Sequence, residues 1–139
     1  MGARIEGIGK AVERLEEWQQ KTLRHAQRKF AERLQSLVGQ TNLDPARLAQ
    51  EALLLADRTD TSEELLRLKA HVAQFAALLQ GEADAGRRLD FLLQEINREA
   101  NTLVSKVAGL GEAGLPMTEV GLQMKAEVEK LREQVQNLQ

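Results

Sequence analysis

Apolar residues recur at steps of three and four along most of this chain. Ile5, Ile8, Val12, Leu15 and Trp18, then Ala26, Phe30, Leu34 and Leu37, trace one long amphipathic helix over about 5–38. A helix of that length predicts an element that projects beyond a compact body or packs on another chain. Gly39-Gln40-Thr41-Asn42 is a stop, and Asp44-Pro45 is a start: Asp caps, and Pro suits the first turn. The second helix covers about 45–56, with Leu48, Ala52 and Leu55 inward, and residues 57–60 form a polar link. Asp60 or Thr61, three residues before Glu63 or Glu64, offers a capping box. A third helix follows with Leu65, Leu68, Val72, Phe75, Ala76 and Leu79 on one face, ended by Gly81. A fourth, about 87–106, gathers Leu89, Leu92, Leu93, Ile96, Ala100, Leu103 and Val104 on one side. Residues 109–116 read as a Gly-rich loop. The closing helix has Met124, Val128, Leu131, Val135 and Leu138, a coiled-coil-like seam. Five helices and no convincing strand predict an all-α, elongated helical bundle, one domain over 1–139.

Composition supports helix-on-helix packing. Aromatics are only 3% of 139 residues, so the core rests on Leu, Val, Ala and Ile, whereas sheet sandwiches lean on β-branched and aromatic residues. There is no Cys, which excludes disulfides, thiolate metal sites and a Cys nucleophile, and fits a reducing compartment. Two His leave little room for a Ser-His-Asp triad, and no Gly-rich loop stands before a helix with a Lys-Ser/Thr pair. No apolar run approaches the roughly 18 residues of a membrane-spanning helix, and no signal-peptide core follows Met1. An intracellular, cytoplasmic protein is expected. The net charge of −2 excludes a generally basic nucleic-acid binder and leaves only local patches.

The fourth helix carries more chemistry than packing requires. Opposite its apolar side lie Arg87, Phe91, Gln94, Arg98, Asn101 and Ser105; beside them runs a stripe of Arg88, Glu95, Glu99 and Lys106. Glu95 and Glu99 are like charges one turn apart, which Arg88, Arg98 and Lys106 can offset. A salt-bridged surface is the ordinary account of such charges. On the third helix Glu64, Arg67 and His71 lie close together, and Glu64 and His71 are two turns apart on one face. With Glu95 and Glu99 they could hold a hard divalent cation, although a lone His on a helix is usually solvated or capping. The first helix concentrates Lys21, Arg24, His25, Arg28, Lys29 and Arg33 against one acid, Glu32. That patch could hold phosphates, or be a plain soluble face.

The wording of three segments goes further than their periodicity. Residues 47–58 with 60–68, residues 86–106, and residues 129–137 resemble, in order and spacing, three blocks of the YicC-like endoribonuclease family. The resemblance spans nearly the whole chain but only the carboxy-terminal part of a family member; the family's amino-terminal domain is absent. The loop at 107–116 is long for the family, and the chain ends in Asn-Leu-Gln where the family usually ends in Glu.

The resemblance implies metal-dependent RNA cleavage by a ring-like cytoplasmic homo-oligomer, a hexamer in the full-length family. It implies RNA as partner, Mn²⁺ or Mg²⁺ as cofactor, and no membrane. Within the matching blocks it points to His71, Glu95, Glu99 and Arg98 for catalysis. Arg67, Arg87, Arg88, Asn101 and Lys106 would bind RNA, and Glu64, Glu95 and Glu99 the metal. The alternatives are a non-catalytic helical oligomerisation or scaffolding module and a bare RNA-binding module. For each named residue an intersubunit salt bridge is the competing role.

Overall fold

The computed structural model describes residues 1–37, 44–81 and 85–138. Five helices follow one another: α1 (Gly2–Leu37), α2 (Pro45–Thr59), α3 (Ser62–Gly81), α4 (Gly86–Ala108) and α5 (Leu115–Leu138). The described residues contain no strand, so the all-α expectation holds. The expected stop at 39–42 and the side chains of Leu37 and Leu55 lie outside the described residues.

Four helices form the body. α4 packs on α3 and on α5, and α1 closes the ring by packing on the other sides of α3 and α5. Adjacent helices are antiparallel. Arg4 near the start of α1 meets Glu127 well along α5, while Thr22 meets Ala113 just before α5 begins. On the other side Gly9 approaches Val72, and Gln19 reaches Ser62 at the start of α3. The interior follows the spacing of three and four: Ile5, Ile8, Val12 and Leu15 from α1, Leu65, Leu68 and Phe75 from α3. From α4 come Leu89, Leu92, Leu93, Ile96, Ala100, Leu103 and Val107, and from α5 Met117, Val120, Met124, Val128, Leu131 and Val135. A fully buried side chain of this size contributes about 1.5–3 kcal/mol, so this core, not helix propensity, holds the bundle.

Several expectations need correction. The polar link at 57–60 does not begin at Asp57, because α2 runs on to Thr59 and only Asp60 and Thr61 separate it from α3. Asp44 does cap α2, accepting the Ala46 N–H at 3.0 Å. Of the α2 residues expected inward, Leu48 and Ala52 are half-buried; Leu53 and Leu54 are exposed, and the helix makes a light contact on α4. Ala76 is exposed, not in the core. The Gly-rich loop is a short connection: a single 3₁₀ turn spans Gly111–Gly114, and α5 starts at Leu115 with Pro116 in its first turn. Gly111 takes φ +63, the left-handed conformation that lets the chain reverse here. The closing seam is spent inside the chain, with Met124, Val128, Leu131 and Val135 buried and only Leu138 left exposed.

α1 is longer than the body it joins. Its 36 residues span about 54 Å. Beyond Leu15 the one buried side chain among the described residues of α1 is Thr22, whose hydroxyl faces the Ala113 carbonyl at the limit of hydrogen bonding, 3.5 Å. Past that point the helix runs alongside Gly109 and Leu110, which share a cleft with its residues Ala26 to Ser36. No helix among the described residues is long and apolar enough to cross a membrane.

Candidate functional site

The charged residues singled out on α3 and α4 meet along the seam between those helices. At one end, the first turn of α3 faces the last turn of α4. Glu64 is 3% exposed and ion-paired with Lys106. The Lys106 Nζ also donates to the Asp60 carbonyl oxygen at 3.0 Å. The Glu64 carboxylate against Lys106 holds that ammonium above the usual lysine range. An acid in the first turn of α3 and a base in the last turn of α4 also complement both helix dipoles.

The two-residue link between α2 and α3 completes this corner. Asp60 accepts the Ser62 hydroxyl at 2.6 Å and the Ser62 N–H at 2.9 Å, and these bonds hold its carboxyl below the usual carboxylate range. Gln19 of α1 donates to the Ser62 hydroxyl at 3.0 Å. Side chains or backbone of α1, α3, α4 and the link are thus tied in one polar chain, from Gln19 through Ser62 and Asp60 to Lys106 and Glu64. The expected capping box does not form: Asp60 binds its neighbour two residues on, and Glu64 turns to Lys106. Thr61 is buried, its hydroxyl without a hydrogen-bond partner.

One turn along, Arg67 lies 3.7 Å from Glu99 and 3.4 Å from Glu63. Glu99 is 6% exposed, so removing Arg67 would leave a carboxylate enclosed with no cation. A further turn brings His71, half-buried, with Nδ1 enclosed and lacking a hydrogen-bond partner. The antiparallel register set by the Glu64–Lys106 and Arg67–Glu99 pairs puts His71 level with Glu95. Glu95 is half-buried and ion-paired to Arg98 at 3.7 Å. Oε2 of Glu64 is likewise enclosed and unpartnered.

Of the stripe, Glu95, Glu99 and Lys106 are half-buried or buried toward α3, whereas Arg88 is exposed, and Arg87, Phe91, Gln94, Arg98, Asn101 and Ser105 all face solvent. Phe91, 59% exposed, shares a shallow cleft with Arg87, Arg88 and Leu78. The three carboxylates named for a metal are not gathered. Glu64 is held by Lys106, Glu99 by Arg67 and Glu95 by Arg98. No group of three His, Asp or Glu side chains suited to a metal occurs among the described residues. Paired in this way, these residues alone do not fit a divalent ion.

Sequence reasoning missed Gln19, Ser62 and the Asp60 carbonyl, because a backbone acceptor and two short polar side chains at a helix junction carry no periodic signal. It also missed Asp90 on the other flank of α4. Asp90 accepts from Gln94 at 3.1 Å and lies 3.7 Å from Arg132 of α5.

Comparison with known proteins agrees with the blocks read in the sequence. Residues 15–139 match the family model described as "Endoribonuclease YicC-like, C-terminal". The chain is 45% identical over 100 residues to a "Probable endoribonuclease YicC" of Haemophilus influenzae, covering 72% of this chain and 33% of that protein. It is 33% identical over 129 residues to a protein of the same name from Clostridioides difficile, covering 92% of this chain and 42% of the relative. The chain thus spans between a third and a half of the length of these relatives. On the extent of that match, this protein belongs to the YicC-like endoribonuclease family, and corresponds to its carboxy-terminal region.

Proposed function

We propose that this chain is the helical, RNA-handling part of a metal-dependent endoribonuclease that works in the cytoplasm as a homo-oligomeric ring. The observation that carries the reading is the family match across residues 15–139. The exposed side of α4 supports it. Arg87, Arg88 and Asn101 would contact RNA phosphates there, with Arg98 offsetting charge that builds on phosphorus in the transition state. Arg67 and Lys106 act beneath them, holding Glu99 and Glu64. His71 is the imidazole of the seam and the candidate for proton transfer. Glu64, Glu95 and Glu99 are each paired within the chain. Ligands for Mn²⁺ or Mg²⁺ therefore come, on this reading, from a neighbouring subunit or from the remainder of a full-length relative.

The test is cleavage of labelled RNA with Mn²⁺ or Mg²⁺ and with chelator, using the chain alone and supplied with the amino-terminal region of a relative. His71→Ala, Glu95→Ala and Glu99→Ala are run alongside. Metal-dependent cleavage that the variants lose is the expected result. Absence of cleavage in every combination removes the reading.

A second reading, a helical oligomerisation module without catalysis, is favoured by the exposed apolar residues Leu53, Leu54, Leu66 and Phe91. Light scattering across a concentration series decides it, since a strict monomer rules it out. The two readings are compatible.

A further inference from the structure

The strongest charge asymmetry in the molecule lies outside the α3–α4 seam. Between residues 21 and 33, α1 carries Lys21, Arg24, His25, Arg28, Lys29 and Arg33, with Glu32 the one acid, in a chain whose net charge is −2. All six are exposed. None makes an ion pair with a described residue, in contrast to Arg67, Arg98 and Lys106 in the seam. Lys21 packs its ammonium over the Trp18 ring, 5.1 Å from the centroid. At 100° per residue the six cover about half of the helix circumference over about 18 Å of its length. Such a surface exposes unneutralised positive charge, and core packing does not require it, because the described residues of this half of α1 contribute no fully buried apolar side chain.

The patch is also concave where it meets the body. Trp18, Lys21, His25 and Arg28 line a cleft against Glu112 and Pro116 at the turn between α4 and α5. Lys29, Phe30 and Arg33 line a second beside Gly109 and Leu110. Its inner end adjoins the seam along α1: Gln19, two residues before Lys21, donates to Ser62 and so joins the corner holding Lys106.

We infer that the outer half of α1 is a docking surface for the sugar-phosphate backbone of single-stranded RNA, which it guides toward the seam. Three of the six residues are arginines, whose planar guanidinium forks match phosphate oxygens two at a time. Aromatic rings stand only at the ends of the patch, at Trp18 and Phe30. Binding is therefore dominated by phosphate contacts, is indifferent to base sequence and falls steeply with salt. The inference rests on the RNA-handling reading above but not on catalysis by this chain.

The experiment compares three forms of the full chain: the wild type; a variant carrying Arg24→Gln, Arg28→Gln, Lys29→Gln and Arg33→Gln; and a charge-matched control carrying Lys10→Gln, Arg14→Gln, Arg47→Gln and Lys130→Gln. Gln keeps helix propensity, and circular dichroism verifies folding. Binding of a fluorescent single-stranded RNA of mixed sequence is measured by anisotropy from 20 to 200 mM salt. The α1 variant is expected to lose at least tenfold in affinity at low salt, and the slope of log K against log salt to fall by up to about 3 for four lost phosphate contacts. The control stays near the wild type. Equal loss in both variants, no loss in either, or no binding by the wild type overturns the inference. So does wild-type binding to anionic lipid vesicles in place of RNA. RNA cleavage is scored separately. α1-dependent binding with no cleavage in any combination removes the endonuclease reading and leaves this one standing. Cleavage with RNA binding unaffected by the α1 changes does the reverse.

Discussion

Replacing Lys106 by Ala separates a structural pair from a surface decoration. Glu64 keeps its burial when the lysine is gone, with one carboxylate oxygen already lacking any partner. Stripping a buried pair of one member costs about 3–5 kcal/mol because an uncompensated charge is left behind. Lys106 is the less enclosed member, its side chain 29% exposed, so water can partly take its place; a loss of about 2–3 kcal/mol is expected after that discount. Glu64→Leu with Lys106→Leu removes both charges and should recover most of the loss. The assay is urea unfolding followed by circular dichroism for the wild type, Lys106→Ala, Lys106→Leu, Glu64→Leu and the leucine pair, the wild type and the three leucine variants forming a double-mutant cycle. The raised Lys106 pKa fixes the pH window. The ammonium side of the pair is fully charged below the ordinary lysine value of about 10.4 and is lost as pH rises through the higher folded-state value, so Lys106 titration leaves the pair unchanged across neutral pH. A cost below about 0.5 kcal/mol for Lys106→Ala, within the range of exposed pairs, or no coupling in the cycle, would refute the reasoning.

Gly121→Ala should destabilise by about 1–3 kcal/mol through overpacking, because its Cβ would sit 2.7 Å from Val104 Cγ2; a melting temperature equal to the wild type's would contradict the close approach of α4 and α5. Phe75→Ala, which empties a fully buried site, should cost about 3–5 kcal/mol in urea unfolding. Asp60 titrates below the usual carboxylate range when folded. Its contribution is therefore present above about pH 4 and is lost as pH falls through the depressed value. The stability gap between wild type and Asp60→Asn should close as pH is lowered from 5 to below 3. Replacing Leu53 and Leu54 by Gln should leave folding intact and lower the apparent mass in light scattering if α2 is the self-association face; an unchanged oligomer places that interface elsewhere.

The fold was legible where burial is periodic. In α4 and α5 the apolar positions sit on one face because each helix packs in a ring of antiparallel neighbours, and spacing alone names them. It says less where packing is weak or tight. The α2 residues expected inward, Leu48 and Ala52, are only half-buried, because a pattern states which face is apolar and not how fully this chain covers it. The turn before α5 shows a different limit. Its Gly-rich wording marks a connection, but it does not say why each glycine is there: Gly114 is glycine because a Cβ there would collide with the Val107 carbonyl and side chain. A residue that signals a loop by composition serves here as a close contact.

The candidate site divides along the same line. Glu95 and Glu99 are like charges one turn apart, for which a salt-bridged surface offset by Arg88, Arg98 and Lys106 is the ordinary expectation. Arg98 does take Glu95 on the same helix, but Glu99 is met by Arg67, which reaches across from α3. One helix's wheel cannot reveal a cation that arrives from another helix. What it did locate is the boundary between two stripes. Glu95, Glu99 and Lys106 lie half-buried or buried toward α3, so changing any of them disturbs packing as well as chemistry. Arg87, Arg98 and Asn101 face solvent, and loss of function there can be read without a folding correction. A cleavage defect in Arg98→Ala with unchanged unfolding is therefore stronger support for the endonuclease reading than the same defect in Glu99→Ala. In the latter, the stranded Arg67 guanidinium and the altered seam offer a second cause.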